Sequence, residues 1–343
     1  MQHYSLFAFG GMIGPKSKIR VDAYAEALRQ TIVPEHSVVL EIGTGAGFFA
    51  LLAAKFGARH VYAIDPSPSV HIGRELAAAN GVEHRITFMQ EHSTQVTLPE
   101  RADVIVSDIR GSLPWWQHHI LSIADARERL LAPGGVLIPG QDTVWAAVVC
   151  APKLYEPHVT PWDDNAYNLD LSAARGRTTN HHHKGRVKPE QLLVEPQLVA
   201  TLHYPTITSP HTQAALHWIA TDTDRAHGLS VWFDAELVPG IGYSNAPSAS
   251  HIPIYSQMFF PWTEPVDLVE GDRIAVTFRV HLMPQRYVWH WTTRVDHPGS
   301  HEAKARFAQA SFAADAPQGS QETKPVTDNQ DHDSDEDAKR VRV

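Results

Sequence analysis

The stretch LEIGTGAGFF (40–49) decides the fold, because it joins an apolar strand to a helix through three closely spaced glycines. Gly43, Gly45 and Gly47 let the backbone turn sharply and leave no Cβ atom between the backbone and a ligand. The pattern is G-x-G-x-G, whereas the dinucleotide fingerprint G-x-G-x-x-G needs a third glycine where Phe48 stands. The loop therefore favours a ligand that has no pyrophosphate.

Two carboxylates near this loop indicate what that ligand carries. Glu41 lies at the carboxyl end of the first strand, where it could bind the cationic amino group of an amino acid. Asp65 ends the next strand, twenty residues past Gly45, where a carboxylate can accept hydrogen bonds from both hydroxyls of a ribose. A ribose and an amino acid without a phosphate describe S-adenosylmethionine. A purely structural glycine turn in another α/β domain is the alternative interpretation.

Strands and helices alternate around the glycine loop, after a helical lead-in that Pro34 ends. This order predicts a parallel, doubly wound sheet. Beyond about residue 140, helical periodicity largely disappears, and Pro and Gly separate β-rich runs, which predicts an antiparallel β domain, either a barrel or a sandwich. The predicted strands of the first part cover residues 38–42, 60–65, 85–90 and 103–108, and GGVLIPG opens a fifth.

The composition is that of a globular chain with room for two domains: 343 residues, 43% hydrophobic and 20% charged. No apolar run is long enough to span a membrane, and the start lacks the features of a signal peptide, so no membrane association is expected. The single cysteine, Cys150, fits a reducing cytoplasm. The net charge of −9 argues against non-specific binding of nucleic acid.

On these motifs the chain resembles class I methyltransferases, and more closely the protein arginine methyltransferases, from about residue 4 to 312. IRVDAY (19–24) is similar to the family's R-x-x-x-Y lead-in, whose arginine grips the cofactor carboxylate, here Arg20. VYAIDPS is similar to the strand that bears the ribose acid, here Asp65. ITFMQEHSTQVTLP aligns with the segment that lines the adenine and places Ser93 and Thr94 there, although the family usually has a glutamate at the Thr94 position.

The resemblance also implies a domain organisation of class α/β + β. We expect a helical lead-in over 1–36, a Rossmann-like, S-adenosylmethionine-binding sheet of the seven-stranded type over 37–140, and a β-barrel over 141–314. An arm at about 160–192 would dock on the methyltransferase domain of a second copy, which implies a homodimer. Residues 315–343 are polar and acidic, and we expect them to be disordered.

The segment VSDIRGSLPWWQHH (106–119) departs from the family at the acceptor side. The family has S-E-W-M-G here and a second glutamate nine residues later, and the two acids clamp the delocalised charge of a guanidinium. In this chain Asp108 stands at the first glutamate and Gln117 at the second. The family's threonine-histidine-tryptophan loop is replaced as well, by Pro253, Ile254 and Tyr255.

We therefore predict N- or O-methylation of an acceptor other than a standard protein arginine, with Asp108 and Gln117 as the acceptor-side residues. The acceptor could be a protein, a peptide or a small molecule. Arginine methylation with a remodelled clamp is one alternative, and a non-catalytic module that binds the cofactor or scaffolds a partner is the other. No metal is predicted.

Weaker signals near these motifs each have two interpretations. Trp115 and Trp116 could wall a substrate pocket or wedge the loop against the core. His118 and His119 could supply a base or simply begin a helix. The run 181–183 contains three histidines, but consecutive side chains do not converge on a metal, which favours a solvated arm loop.

Overall fold

The computed structural model describes residues 6–164, 167–250, 254–284 and 286–311, so that the acidic segment 315–343, which the sequence predicts to be disordered, lies outside the described residues. Its first part is a parallel sheet in the order β3-β2-β1-β4-β5, with the order reversing between β1 and β4. Every residue of β1 is buried, as expected for a strand that is covered on both faces. The strands are β1 (Val38–Ile42), β2 (His60–Ile64), β3 (Ile86–Met89), β4 (Ala102–Ser107) and β5 (Leu131–Ile138).

This sheet confirms the predicted Rossmann-like class, but it has fewer strands than predicted. It has five strands within the described residues, not the seven of the expected type. After β5 the chain turns at Gly140 and enters β6, which pairs with strands of the second part instead of returning to the parallel sheet. The loop that follows the carboxyl end of β4 lies beside the β domain, where Arg110 pairs with Asp142 of β6.

Helices flank the sheet at the predicted places. In α2, buried Ala23, Tyr24, Ala27 and Leu28 form one apolar stripe, and Tyr24 stacks on Phe49 at 4.7 Å between ring centroids. No helix in the described ranges is both long and apolar enough to cross a membrane. The helices are α1 (Leu6–Ile13), α2 (Lys18–Thr31), α3 (Phe48–Lys55), α4 (Val70–Ala79), α5 (His119–Arg129), α6 (Pro152–Asp163) and α7 (Ser172–Thr179).

The second part contains two antiparallel sheets, in the orders β7-β12-β10-β6-β8 and β15-β14-β13-β9, with β11 paired to β10. In β13, Ile274, Val276, Phe278 and Val280 alternate inward, which is the period of a half-buried strand. The strands are β6 (Gln141–Val149), β7 (His183–Gly185), β8 (Gln197–His203), β9 (Thr212–Ile219), β10 (Asp224–Val238), β11 (Ile241–Ser244), β12 (Gln257–Leu268), β13 (Arg273–Leu282), β14 (Tyr287–Asp296) and β15 (Ala303–Ala310). The predicted α/β + β class with a barrel domain is confirmed.

The second part contains two helices, α6 and α7, where the sequence showed no helical period. Helix α6 contains Pro157 and Pro161 as well as its first residue, Pro152, and it packs against α7. Proline is favoured at the start of a helix but normally breaks its interior, and for that reason the helix was not predicted. Buried Tyr155 and Val159 hold α6 on a small apolar cluster with Val149, Val187 and Phe259.

Candidate active site

The glycine loop between β1 and α3 has a backbone that only glycine adopts easily. Gly43 and Gly47 have φ of 77° and 85°, in the left-handed region. A Cβ atom on Gly43 would lie 2.1 Å from the side chain of Ile109, and one on Gly47 would lie 2.7 Å from the ring of Phe88. The backbone N–H groups of Gly43 and Thr44 both donate to the carbonyl of Ile64, at 2.9 and 3.0 Å. The loop is thus fixed to the end of β2.

Asp65, which follows the end of β2, forms a hydrogen bond with the same loop. Its Oδ2 accepts a hydrogen bond from Gly45 N, and its Oδ1 accepts one from Ser67 N, both at 2.8 Å. Each carboxylate oxygen can accept two hydrogen bonds, so both oxygens retain capacity for the hydroxyls of a ribose. The geometry fits the role predicted for Asp65, which stays a prediction.

Glu41 is buried beneath the loop and is 4% exposed. Thr44 Oγ1 and, at 2.8 Å, Ala50 N both donate to its Oε2, so the acid joins the loop to α3. Burial raises the pKa of Glu41 to about 8, and these two hydrogen bonds oppose the increase. A bound ammonium group beside Glu41 would stabilise its charged form, which fits the predicted contact with the amino group of the cofactor.

Arg20, from α2, is buried between the loop and the acceptor side. Its Nη1 donates to Asp108 Oδ2 and its Nη2 to the carbonyl of Met12. Its Nε is buried and has no hydrogen-bond partner within the described residues. Its Cζ lies 5.8 Å from the ring centroid of Phe49, which follows the loop in α3. An unpaired buried donor beside the loop fits the predicted capture of the cofactor carboxylate.

The predicted adenine residues lie on a short turn after β3. Ser93 is buried, and its carbonyl accepts a hydrogen bond from Arg129 at 2.8 Å, while Thr94 is exposed. Their contact with the adenine stays a prediction.

Asp108 follows β4 at the carboxyl edge of the sheet, and its side chain is 7% exposed. Tyr24 donates to its Oδ1 and Tyr255 to its Oδ2, each at 3.1 Å, and Arg20 forms an ion pair with Oδ2. Burial raises the pKa of both tyrosines well above the usual range, so their hydroxyls remain protonated donors. Arg110 adds a second guanidinium, with its Nε 3.7 Å from Oδ1. The one acid of this loop is therefore already surrounded by donors.

Arg110 and Asp142 form a buried ion pair next to Asp108, and both side chains are 0% exposed. Tyr204 donates to the other oxygen of Asp142 at 2.6 Å, and Arg110 Cζ lies 5.4 Å from the ring centroid of Phe233. Burial opposes the charge of Arg110, but Asp142 and the surrounding tyrosines outweigh that cost and raise its pKa well above the usual range. Sequence reasoning missed this pair, and the only available signal was an arginine at the methionine position of S-E-W-M-G.

Gln117 is not part of this network. It is exposed and has φ of 46°, and no hydrogen bond joins it to Asp108 in the part of the chain that the structure describes. Trp115 is buried edge-on against Trp289, with 5.5 Å between ring centroids, which agrees with a wedge that holds the loop. Trp116 is 38% exposed and packs against Gly111. The acceptor-side role of Gln117 stays a prediction.

The histidines agree with the sequence interpretation in one place and differ from it in another. His119 begins α5, as one of its two interpretations had it. It is buried, its Nε2 lies 3.2 Å from the hydroxyl of Tyr204, and burial followed by the charge of Arg110 lowers its pKa to about 3. The interpretation of 181–183 as a solvated loop was wrong for two positions: His182 packs on Phe260 at 5.1 Å, and His183 stacks on His158 at 4.0 Å between ring centroids. Of the altered loop, Pro253 lies outside the described residues.

Comparisons with known proteins match the two parts separately. Residues 22–140 match the family described as ribosomal protein L11 methyltransferase (PrmA), and residues 141–289 match the arginine methyltransferase oligomerization subdomain. The chain is 28% identical over 249 residues to a probable protein arginine N-methyltransferase 6 of Arabidopsis thaliana, which covers 70% of this chain and 57% of that protein. It is 27% identical over 294 residues to protein arginine N-methyltransferase PRMT10 of Oryza sativa subsp. japonica, which covers 76% and 77%.

Two solved structures share the fold. The Trypanosoma brucei PRMT1 enzyme-prozyme heterotetrameric complex with AdoHcy superimposes with a TM-score of 0.77 at 21% identity, and covers 90% of this chain and 98% of the other. The open conformation of Arabidopsis thaliana protein arginine methyltransferase 10 gives a TM-score of 0.74, also at 21% identity and with the same coverage.

A parallel sheet with a glycine loop, joined to a β-barrel, defines a methyltransferase that uses S-adenosylmethionine, and the matches confirm this prediction. Within that class, the chain is similar to the protein arginine methyltransferases, as its motifs predicted.

Proposed function

We propose that this methyltransferase methylates a nitrogen or oxygen of an acceptor that is not a protein arginine. One observation carries the proposal: the single acid of the acceptor loop, Asp108, is already paired with two guanidinium groups and two tyrosine hydroxyls. A guanidinium acceptor needs paired, available carboxylates to orient it and to localise its charge. The described residues around Asp108 offer no second available acid, because Asp142 is taken by Arg110 and Tyr204.

The charges of this cluster favour a neutral acceptor. Arg20 and Arg110 carry two positive charges, and Asp108 and Asp142 carry two negative charges, so the cluster is balanced before an acceptor arrives. An added cation would remain uncompensated in a buried site, which is costly. An N–H or O–H group needs only one lone pair of Asp108 in order to be oriented.

The cofactor supplies an electrophilic methyl group on a sulfonium. Arg20 would bind its carboxylate, Glu41 its amino group and Asp65 its ribose. The glycines of the loop have no Cβ atoms and would let the cofactor approach the backbone closely. Asp108 would orient the lone pair of the acceptor toward the methyl group and hold the proton that the acceptor gives up, while the neutral tyrosines Tyr24 and Tyr255 fix the carboxylate.

Arginine methylation with a remodelled clamp is the second candidate. The names of the relatives and the position of Asp108 after β4 favour it. A cofactor-binding or scaffolding module without catalysis is the third candidate, since the same ion pairs could serve only to hold the two parts of the chain together.

The test is incubation of the full chain with methyl-labelled cofactor and a cell extract that is separated afterwards into protein and small-molecule fractions. We expect label in one of the fractions and its loss when S-adenosylhomocysteine is added in excess. Absence of label from both fractions, while the chain still binds S-adenosylhomocysteine by calorimetry, would contradict catalysis and support the module.

We also propose a cytoplasmic homodimer that assembles through the arm at about 160–192. The match of 141–289 to an oligomerization subdomain supports assembly, and two apolar side chains that precede α7, Tyr167 and Leu169, are 84% and 60% exposed. Sedimentation should show a species of about twice the chain mass of 38.1 kDa. A single species at the chain mass across micromolar concentrations would contradict the dimer.

A further inference from the structure

Arg110 lies against one side of the Asp108 carboxylate. Its Nε is 3.7 Å from Asp108 Oδ1, and the same Nε has no hydrogen bond to any described residue. Its Nη2 reaches the hydroxyl of Tyr24 at 3.3 Å, which itself donates to Oδ1. The guanidinium thus lies against the Oδ1 side of the carboxylate, while Arg20 pairs with the Oδ2 side.

The surroundings of Arg110 have the properties of a guanidinium-binding site. Asp142 pairs with Nη1, and the rings of Phe233 and Tyr243 lie 5.4 and 5.9 Å from Cζ. Carboxylates and aromatic faces are the groups that bind guanidinium in proteins. Here the chain fills such a site with its own side chain, and Tyr204 fixes the far oxygen of Asp142 at 2.6 Å.

We propose that Arg110 determines acceptor specificity: its buried guanidinium occupies the position beside Asp108 and excludes a cationic acceptor, so that only a neutral group can use the carboxylate. This inference rests on the proposed function and names the residue behind its selectivity. Arg110 excludes a guanidinium in two ways, since it takes the space and places a positive charge within ion-pair distance of the carboxylate that the acceptor would need.

Two matched probes separate charge from shape. Arginine amide carries a guanidinium, and citrulline amide carries a neutral ureido group of nearly the same size. Their binding to the full chain, saturated with S-adenosylhomocysteine, is measured by calorimetry for the wild type, for Arg110→Ala and for the double variant Arg110→Ala/Asp142→Asn. Arg110→Ala leaves Asp108 and Asp142 with Arg20 as the one cation of these four side chains, so that an added guanidinium restores the balance of charge. The double variant removes one charge of each sign and stays balanced, as the wild type is.

We expect the wild type to bind arginine amide no more tightly than citrulline amide, and Arg110→Ala to prefer arginine amide by about tenfold or more, a difference of one order in Kd. Arg110→Lys keeps the charge and should keep the wild-type order, and the balanced double variant should shift the preference by less than Arg110→Ala does. Arg110→Gln removes the charge but keeps an N–H donor for Asp142, and it should shift the preference in the same direction as Arg110→Ala. A merely structural role would lower the binding of both probes together.

An unchanged preference in Arg110→Ala and in Arg110→Gln, with S-adenosylhomocysteine affinity equal to that of the wild type, would overturn the role of Arg110. That outcome is distinct from failure of the proposed function, because probe binding does not require methyl transfer. A chain that reverses its preference but never transfers label would support Arg110 as the selective residue and contradict the catalytic proposal alone.

Discussion

The two halves of the active site are built from very different spans of the chain. On the cofactor side, Glu41 bonds to residues three and nine positions away, and Asp65 to residues two and twenty positions away. On the acceptor side, the donors to Asp108 include Arg20, Tyr24 and Tyr255, which lie 88, 84 and 147 positions away. On the cofactor side, Glu41 and Asp65 therefore belong to one local motif. The acceptor side is assembled from residues of α2, the sheet and the barrel.

This difference gives a physical reason why the predicted cofactor residues match the motifs of the family and the predicted acceptor residues do not. A local loop works only if its glycines and acids are all present, because the same few residues set its backbone and its ligand contacts. The acceptor side can exchange partners across the structure and still be paired, as Arg110 and Asp142 show. The predictions below act on one half at a time.

The largest expected effect is loss of methyl transfer in Asp108→Asn. Asparagine keeps the shape but cannot hold a proton or form the ion pair with Arg20, so the rate should fall by about 10² to 10⁴, the range typical of a lost acid–base group. Initial rates with labelled cofactor measure it, and S-adenosylhomocysteine affinity serves as the control for the other half. A rate within threefold of the wild type would show that the carboxylate does not take part.

The next effect is weaker cofactor binding in Asp65→Ala. The change removes the bonds to Gly45 N and Ser67 N and the predicted ribose contacts, and should weaken binding of S-adenosylhomocysteine by about 10- to 100-fold, since hydrogen bonds to a charged group contribute about 1.5–3 kcal/mol. Calorimetry measures the change.

Asp103→Ala is the matched control for Asp65→Ala. Asp103 also accepts a backbone hydrogen bond, from Val38 N at 2.8 Å, but at the amino end of β1, away from the loop. It should cost stability without a change in cofactor affinity. Equal losses of affinity in the two variants would show that the effect of Asp65 is only structural.

A smaller effect concerns the pH dependence of stability. Glu41 has a pKa of about 8 in the folded protein and an ordinary value of 4.5, so its contribution is fully present below about pH 4.5 and is lost as the pH rises through 8. His119, with a pKa lowered to about 3, acts in the opposite sense, and its contribution is lost as the pH falls from 6.5 toward 3. Between pH 6.5 and 8 only Glu41 of the two contributes.

Glu41→Gln should therefore remove part of the loss of stability between pH 6.5 and 8. The wild type should lose about 1–2 kcal/mol of unfolding free energy more than the variant over this range, because one pKa unit corresponds to about 1.4 kcal/mol. Urea denaturation at both pH values measures the difference. Parallel pH profiles for the two proteins would mean that Glu41 is ionised in the folded state.

The smallest expected effect is that of Gln117→Glu. The alignment places residue 117 at the second acid of the clamp, but its side chain is exposed and outside the Asp108 network within the described residues. Restoring an acid there should change the relative rates of neutral and guanidino acceptors by less than about threefold, as is usual for a surface charge. A larger gain for guanidino acceptors would place residue 117 at the acceptor, as the sequence predicted.

The sequence predicted the parts of the molecule whose signal is local. Strand β1, the glycine loop and α3 follow one another with unbroken patterns, and the switch from alternating elements to β-rich runs marked the barrel. Helix α6 was not predicted, because prolines inside a helix are unfavourable. The tertiary packing of Tyr155 and Val159 outweighs that local cost of the prolines. The Arg110–Asp142 pair could not be predicted, because the two residues come into contact only when β6 packs next to the loop after β4.

We propose that an intact cofactor half serves an acceptor half that does not accept guanidinium. The most direct measurement is total acid hydrolysis of the labelled products from extract, followed by separation of the methylated amino acids and small molecules. We expect label in a methylated N or O compound and none in monomethylarginine or dimethylarginine. Label in methylarginine that disappears with Asp108→Asn would contradict this proposal and establish the chain as an arginine methyltransferase with a remodelled clamp.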